Sequence, residues 1–359
     1  MKKKSFVAIL LSAVMAIAAT FALVGCGDND GGNGDGGDKH AADTSFVGSI
    51  SVQSYESAND AAAAFLTEEL DGAATSTTFV SYEKSADLTE EEIAELNLGE
   101  DFEFTVEDID SAENGVVSYT ESTSAVNESA AGAKTARVVI IKIGSVYWYY
   151  VPMFKDGEVL TNSYMDNILD FTKYANVTET VVSKSVVSAG GQMAETSITI
   201  TTKIANDKIY FKQVAPNPYT NQKETTEYYF VVTEEGLLMY DKVGSEWDSS
   251  YSGFDSLDEF LEAAFKYDAS YFVKTKSGFK MNSEKLTQFL RDVLDNIGQG
   301  YTISSVSANY YVKDARLDSA ESNVKMKMTY QGQTINGTAT VTTTYTDYGT
   351  TVVNLPFEI

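Results

Sequence analysis

Histidine is all but missing from this sequence of 359 residues: His40 is the only one, and it lies in a stretch that reads as unstructured linker. The folded parts are therefore expected to contain none. That excludes Ser-His-Asp catalysis and removes the commonest general base and most zinc or iron sites. Cysteine is as scarce, with Cys26 alone. No disulfide can close within the chain, so the core must hold itself together. Basic residues are few as well, 26 Lys and Arg against 52 Asp and Glu, for a net charge of -26. Such a surface repels phosphate backbones and excludes nucleic acid as a partner. Neither a glycine-rich phosphate loop nor a nucleophile elbow is present. Carboxylate-pair hydrolysis and oxygen-ligand calcium sites survive these cuts, but nothing in the sequence signals either. The chain is read as non-enzymatic, with no cofactor and no metal.

One long hydrophobic run is present, at the start. Lys2, Lys3 and Lys4 precede an apolar stretch from Phe6 to Val24, which ends in Leu23-Val24-Gly25-Cys26. This is the layout of a secretory signal peptide. The last four residues resemble the bacterial lipobox at every position. The resemblance implies that residues 1–25 are removed and that Cys26 becomes a lipidated N-terminus. The protein is then expected on the outer face of the plasma membrane, or in an outer membrane if the source is Gram-negative. Each buried CH₂ contributes about 0.8 kcal/mol, so several acyl chains on one residue hold firmly. Residues 26–43 continue as a Gly- and Asp-rich tether with almost nothing apolar to order it.

Charge divides the remainder. Residues 44–172 carry 24 acids and 5 bases, whereas residues 173–359 carry 23 and 17. The change falls near Lys173-Tyr174-Ala175-Asn176, the expected boundary between two α+β domains. In the first, a helix is expected from Ala58 to Leu70, stopped by Asp71-Gly72. Thr89-Glu90-Glu91-Glu92 reads as a capping box opening a second helix towards Leu98. Strands are expected at Phe102–Ile109, at Val116–Tyr119 and along Val138–Val151. A helix followed by a curved antiparallel sheet resembles a cystatin-like or nuclear-transport-factor-like cone.

The second domain shows strand periodicity at Lys208–Val214, Glu227–Val232 and Gly236–Lys242. Ser256 caps an expected helix through Tyr267, with Glu259 at the reciprocal position of a capping box. After Ser283, the 3 and 4 spacing of Leu286, Phe289, Leu290, Val293, Leu294 and Ile297 predicts another helix, ended by Gly298. Strands are then expected at Tyr301–Val312, Val324–Tyr330, Thr334–Tyr345 and Thr350–Leu355. Strands, Trp247, two helices and a long return ending Tyr345-Thr346-Asp347-Tyr348-Gly349-Thr350-Thr351-Val352-Val353-Asn354-Leu355-Pro356 resemble the LolA-like and LppX-like lipoproteins. Over residues 176–359 the resemblance implies an antiparallel half-barrel sheet covered by two helices, with lipid or lipid-like ligands held between them.

The candidate ligand-cavity residues follow from that expectation. Val324, Met326, Met328 and Tyr330 share one face of a strand, and Leu290 and Phe289 share the apolar face of the second helix. The competing reading is simple packing of strand on helix. The acidic run of Glu100, Asp101, Glu103, Glu107, Asp108, Asp110 and Glu113 lacks any fixed ligand spacing and reads as solvated surface. Tyr147, Trp148, Tyr149 and Tyr150 alternate between two faces, so at most half of them can serve one surface. The functional expectation is a membrane-anchored binding protein for a lipid or other amphipathic molecule. The alternative is an interaction or sensor module whose acidic domain meets a basic protein partner.

Overall fold

The computed structural model describes residues 40–46, 48–72, 75–98, 102, 104–123, 132–189, 192–216, 222–243, 246–264, 268–285, 301–330 and 333–358. It is mostly antiparallel sheet with few helices, and it divides into two compact units. The smaller comprises residues 44–167 together with 268–276, and the larger comprises the rest. Segment 268–276, assigned by sequence to the second domain, thus joins the first. Among the described residues no helix is long and apolar enough to cross a membrane.

The smaller unit is built on β1 (Ser49–Ile50), β2 (Thr75–Asp87), β3 (Ser111–Thr123), β4 (Lys134–Ile143) and β5 (Val146–Val151), ordered β1-β5-β4-β3-β2. The run read as one long strand, Val138–Val151, is a hairpin: Gly144, at φ 61°, supplies the left-handed turn. Both faces of the sheet are covered, so Val138 to Ile141 are buried without alternation. Helix α1 (Ala58–Phe65) packs Ala61, Ala62 and Phe65 inward after the side chain of Ser57 caps the amide of Asp60 at 3.2 Å. Its expected continuation to Leu70 is a π-helical turn, Leu66–Leu70, which Asp71 closes by donating to the carbonyl of Leu66. Gly72 is required next, because a Cβ there would collide with the carboxylate of Asp268.

On the opposite face Ile50, Leu98, Ala112, Val139, Ile141 and Tyr150 form a cluster, with Phe102, Phe104, Val106, Ile109 and Trp148 packed against it. Phe102–Ile109 is therefore not the expected strand. Its apolar residues face the core from irregular chain and a 3₁₀ turn, Val106–Asp108. Helix α2 (Glu90–Ala94) has the expected capping box, Thr89 to Glu92 at 3.2 Å and back at 2.8 Å, but stops short of Leu98. Helix α3 (Asn162–Leu169) follows, and the division between units falls within it.

The larger unit contains β6 (Asn176–Ala189), β7 (Gln192–Ala205), β8 (Lys208–Pro216), β9 (Lys223–Thr233), β10 (Gly236–Val243), β11 (Glu246–Tyr251), β13 (Gly278–Met281), β14 (Tyr301–Lys313), β15 (Arg316–Tyr330) and β16 (Gln333–Thr346), while the short β12 (Phe272–Thr275) belongs to the smaller unit. The order is β11-β10-β9-β8-β7-β6-β16-β15-β14-β13. Two meanders are thus joined through the first and last strands, β6 and β16, which pair antiparallel from Thr178–Thr346 to Ala189–Ile335. Helix α4 (Leu257–Ala264) buries Leu257, Phe260 and Leu261, with Phe260 6.1 Å from the ring of Phe230. Ser256 caps it as expected, but Glu259 reaches past Ser256 to the amide of Asp255 at 2.8 Å. The expected second helix falls on residues 286–298, outside those described; a 3₁₀ turn, Ser283–Lys285, precedes it. Residues 350–355 form no strand.

Candidate functional site

The smaller unit contains a cavity of about 300 Å³. Phe65 and Leu70 reach it from α1 and its π turn, Val116 and Tyr119 from β3, Ala136 from β4, and Val151 from the end of β5. The lining is largely apolar, and its volume stands at the lower end of the range for small-molecule sites. One charged pair belongs to the wall. Arg137 donates to both carboxylate oxygens of Glu158, at 3.0 and 2.7 Å, and Glu158 also accepts from the amide of Lys155 at 2.8 Å. A two-pronged ion pair with a third donor has a fixed geometry, so this charge is answered inside the fold.

On the same π turn as Leu70, Glu69 is buried and hydrogen-bonded. Its carboxylate accepts from the amide of Ser163 at 3.0 Å, from the Ser163 hydroxyl at 2.8 Å, and lies 3.1 Å from the Tyr149 hydroxyl. Tyr149 also meets Glu68 at 2.7 Å, and Glu68 accepts from Tyr55 at 2.7 Å. Burial, followed by the nearby Glu69 charge, drives the Tyr149 hydroxyl well above its usual range. Tyr55 is pushed up to about 12, by burial first and then by its hydrogen bond to Glu68.

A second, polar cavity of about 210 Å³ lies in the larger unit, between the β14–β15 hairpin turn and the turn after β16. Lys313, Arg316, Asp318, Tyr345, Asp347 and Tyr348 are among its walls. Asp314 and Ala315 adopt φ 52° and 53°, as a two-residue hairpin turn requires at both positions, and Asp347 adopts 56°. The ring of Tyr348 is held by its hydroxyl, which donates to the carbonyl of Leu317 at 2.7 Å. The guanidinium of Arg316 lies 4.0 Å above that ring.

The residues singled out by sequence are distributed differently. Cys26, Phe289 and Leu290 lie outside the described residues. Val324, Met326, Met328 and Tyr330 are in β15, paired on one side with β14 and on the other with Ala339, Gly337, Ile335 and Gln333 of β16. Their side chains lie outside what is described. Of the acidic run, Asp108 holds the amide of Thr105 at 2.7 Å, Asp110 that of Gly144 at 2.6 Å, and Glu113 accepts from Tyr82 at 2.9 Å. Asp108 and Asp110 hold turns while remaining exposed, and Glu113 reaches across from β3 to Tyr82 and Lys84 of β2. No group of three or more His, Cys, Asp or Glu is placed to hold a metal ion among the described residues. The aromatic run splits as alternation demands: Trp148 and Tyr150 join the core cluster, while Tyr149 faces Phe65 at 5.8 Å. His40 opens a stretch without helix or strand, residues 40–46, and its ring stacks on Tyr311 at 3.4 Å.

Neither cavity was expected from the sequence, since each gathers residues from distant segments with no shared motif. The signal nearest to one was the charged Lys313-Asp314-Ala315-Arg316 between two strand-like runs.

No protein-family model matches the chain, and no curated protein matches it either. Among solved structures the chain is similar to the ywiB protein from Bacillus subtilis, at 14% identity over 48% of this chain and 96% of that one, with a TM-score of 0.18. It is also similar to a DUF1329 family protein from Desulfovibrio piger, at 10% identity over 55% of this chain and 94% of that one, with a TM-score of 0.20.

Proposed function

We propose that this is a lipid-anchored, extracytoplasmic binding protein without catalytic activity, which takes an amphipathic small molecule into the apolar cavity of its smaller unit. The lipobox resemblance at Cys26 supports the location. The apolar lining from Phe65 to Val151, with the Arg137–Glu158 pair in its wall, supports the ligand class. An alkyl or ring portion would displace water from the lining, at roughly 25 cal/mol for each Å² of apolar surface removed from solvent. A polar end would remain beside the ion pair. Chemistry is a poorer fit for this cavity: its one carboxylate is already held by three donors, two of them from a cation, which leaves it little basicity for a substrate.

The observation that carries the reading is the cavity itself. It can be tested by native mass spectrometry and solvent extraction on the chain from Gly27 onward, purified without detergent. A retained lipid-like adduct is expected, lost when Ala136→Trp fills the cavity while the melting temperature is kept. A bare protein mass that takes up no added fatty acid or lysophospholipid would overturn the reading.

A further inference from the structure

We propose that the polar cavity of the larger unit is a second binding site, which takes a small zwitterion of amino-acid size, carboxylate towards Arg316 and Lys313 and cationic nitrogen towards Asp318 and Asp347. Five charged side chains line this cavity: Lys313, Arg316, Asp314, Asp318 and Asp347. None forms an ion pair among the described residues, although opposite signs share one wall. Elsewhere in the chain such groups do meet, as Arg137 does with Glu158 at 2.7 Å. Here they line one cavity without pairing, and a ligand with both charges would bridge them.

Arg316 is the best-prepared of the five. Stacked on Tyr348, whose ring is in turn fixed by the carbonyl of Leu317, it presents its fork of donors in a set orientation. Little side-chain freedom would then be lost on binding. Positive charge is reinforced on this side by Lys173, which donates to the carbonyl of Ala315 at 3.0 Å.

At the wall of the cavity Tyr345 is only 6% exposed, and its hydroxyl lies beside the carboxylate of Glu179, the residue opposite it where β16 pairs with β6. The charge balance decides the ligand class. Asp314, Asp318 and Asp347 stand in the walls beside Lys313 and Arg316, with Lys173 and the buried Glu179 close by, so a simple anion meets carboxylates there unless it brings a positive group. A divalent cation would in turn meet Arg316 and Lys313, in a site with no metal-holding cluster among the described residues.

The test is equilibrium dialysis of the full chain, in detergent, against the common L-amino acids and glycine betaine, followed by calorimetry on any compound retained. Acetate and methylammonium serve as the two half-ligands. At least one zwitterion should be retained and should bind at least tenfold more tightly than either half. Arg316→Gln and Asp318→Asn should each weaken it at least tenfold while the chain stays folded and its melting temperature changes little. Tyr348→Leu, which frees the guanidinium, should weaken it less. Retention of no zwitterion, equal binding of acetate, or unchanged affinity in Arg316→Gln would overturn the proposal. Filling the other cavity with Ala136→Trp should leave this binding intact, so the two sites can fail separately.

Discussion

The two cavities treat charge in opposite ways. In the smaller unit, the charged groups at the cavity and on the π turn are held by partners: Arg137 grips Glu158 with two bonds, and Glu69 is satisfied by Ser163 and Tyr149. In the larger unit, Arg316 and Lys313 line a cavity with three carboxylates and bind none of them. A satisfied charge stabilises its surroundings and has little left to offer a ligand. An unsatisfied one contributes little to stability, and its interaction energy remains available for binding. Substitution of the two kinds should therefore separate stability from binding.

The largest effect is expected at Glu69. Replacing it by Ala strands the Ser163 amide and one contact of Tyr149, while the Ser163 hydroxyl falls back on Thr161 at 3.2 Å. A loss of about 2–3 kcal/mol follows from unsatisfied buried donors. Glu69→Gln keeps one acceptor oxygen and should lose less than half as much. Urea unfolding followed by circular dichroism measures both, and equal losses in the two variants would show that the carboxylate's charge matters more than its acceptor geometry.

Next comes alkaline stability, to which the same network contributes alongside other buried tyrosines such as Tyr174, Tyr310 and Tyr345. Tyr55 titrates near 12 in the folded chain and Tyr149 higher still, against 10.0 for the ordinary side chain. A proton kept in the folded state and released on unfolding gives stability that is complete below the ordinary value. It is lost as pH rises from about 10 towards 12. The melting temperature of the unsubstituted chain should fall through that window, and Tyr149→Phe should flatten the fall. A slope unchanged by Tyr149→Phe would place the sensitivity elsewhere.

The two arginines offer the most direct contrast. Arg137→Ala leaves Glu158 partly buried with one donor, and about 1 kcal/mol should be lost, discounted for the solvent that reaches the pair. Arg316→Ala removes only a stacked cation on a tyrosine, worth about 0.5 kcal/mol at an exposed site. Calorimetric melting of both variants in one buffer checks the ranking. A reversed order would show that Arg316 is structural and would undercut the contrast between the cavities.

What could be read from sequence was whatever depends on near neighbours. Thr89 with Glu92, Ser256 as a cap, and the alternation in β8, β9 and β10 all act within a few residues, and they appear where expected. β2 was missed because it carries little apolar alternation and its residues are exposed or only partly buried. The hairpin of β4 and β5 was missed because core covers both faces, which erases the period of two on either side of Gly144. Phe102–Ile109 looked like a strand because a loop that packs four apolar side chains inward can mimic alternation. The cavities were beyond reach for a related reason. Arg316 meets Tyr348, and Phe65 approaches Ala136, only after strand pairing has brought distant segments together.

The smallest effect concerns the hairpin turn between Lys313 and Arg316. Ala315 stands at φ 53°, where an L side chain crowds its own carbonyl, at a cost of about 1 kcal/mol. Asp314 at φ 52° tolerates the region better because a short polar side chain can hydrogen-bond locally. Ala315→Gly removes the crowding but gives the unfolded chain more freedom, so the net gain should be about 0.5 kcal/mol. The carbonyl that accepts from Lys173 is kept, and with it the position of Arg316 one residue on. Stability measured by urea unfolding should therefore rise slightly while zwitterion affinity stays the same. If affinity falls as stability rises, the stiffness of the alanine turn, rather than the charges alone, keeps the cavity open.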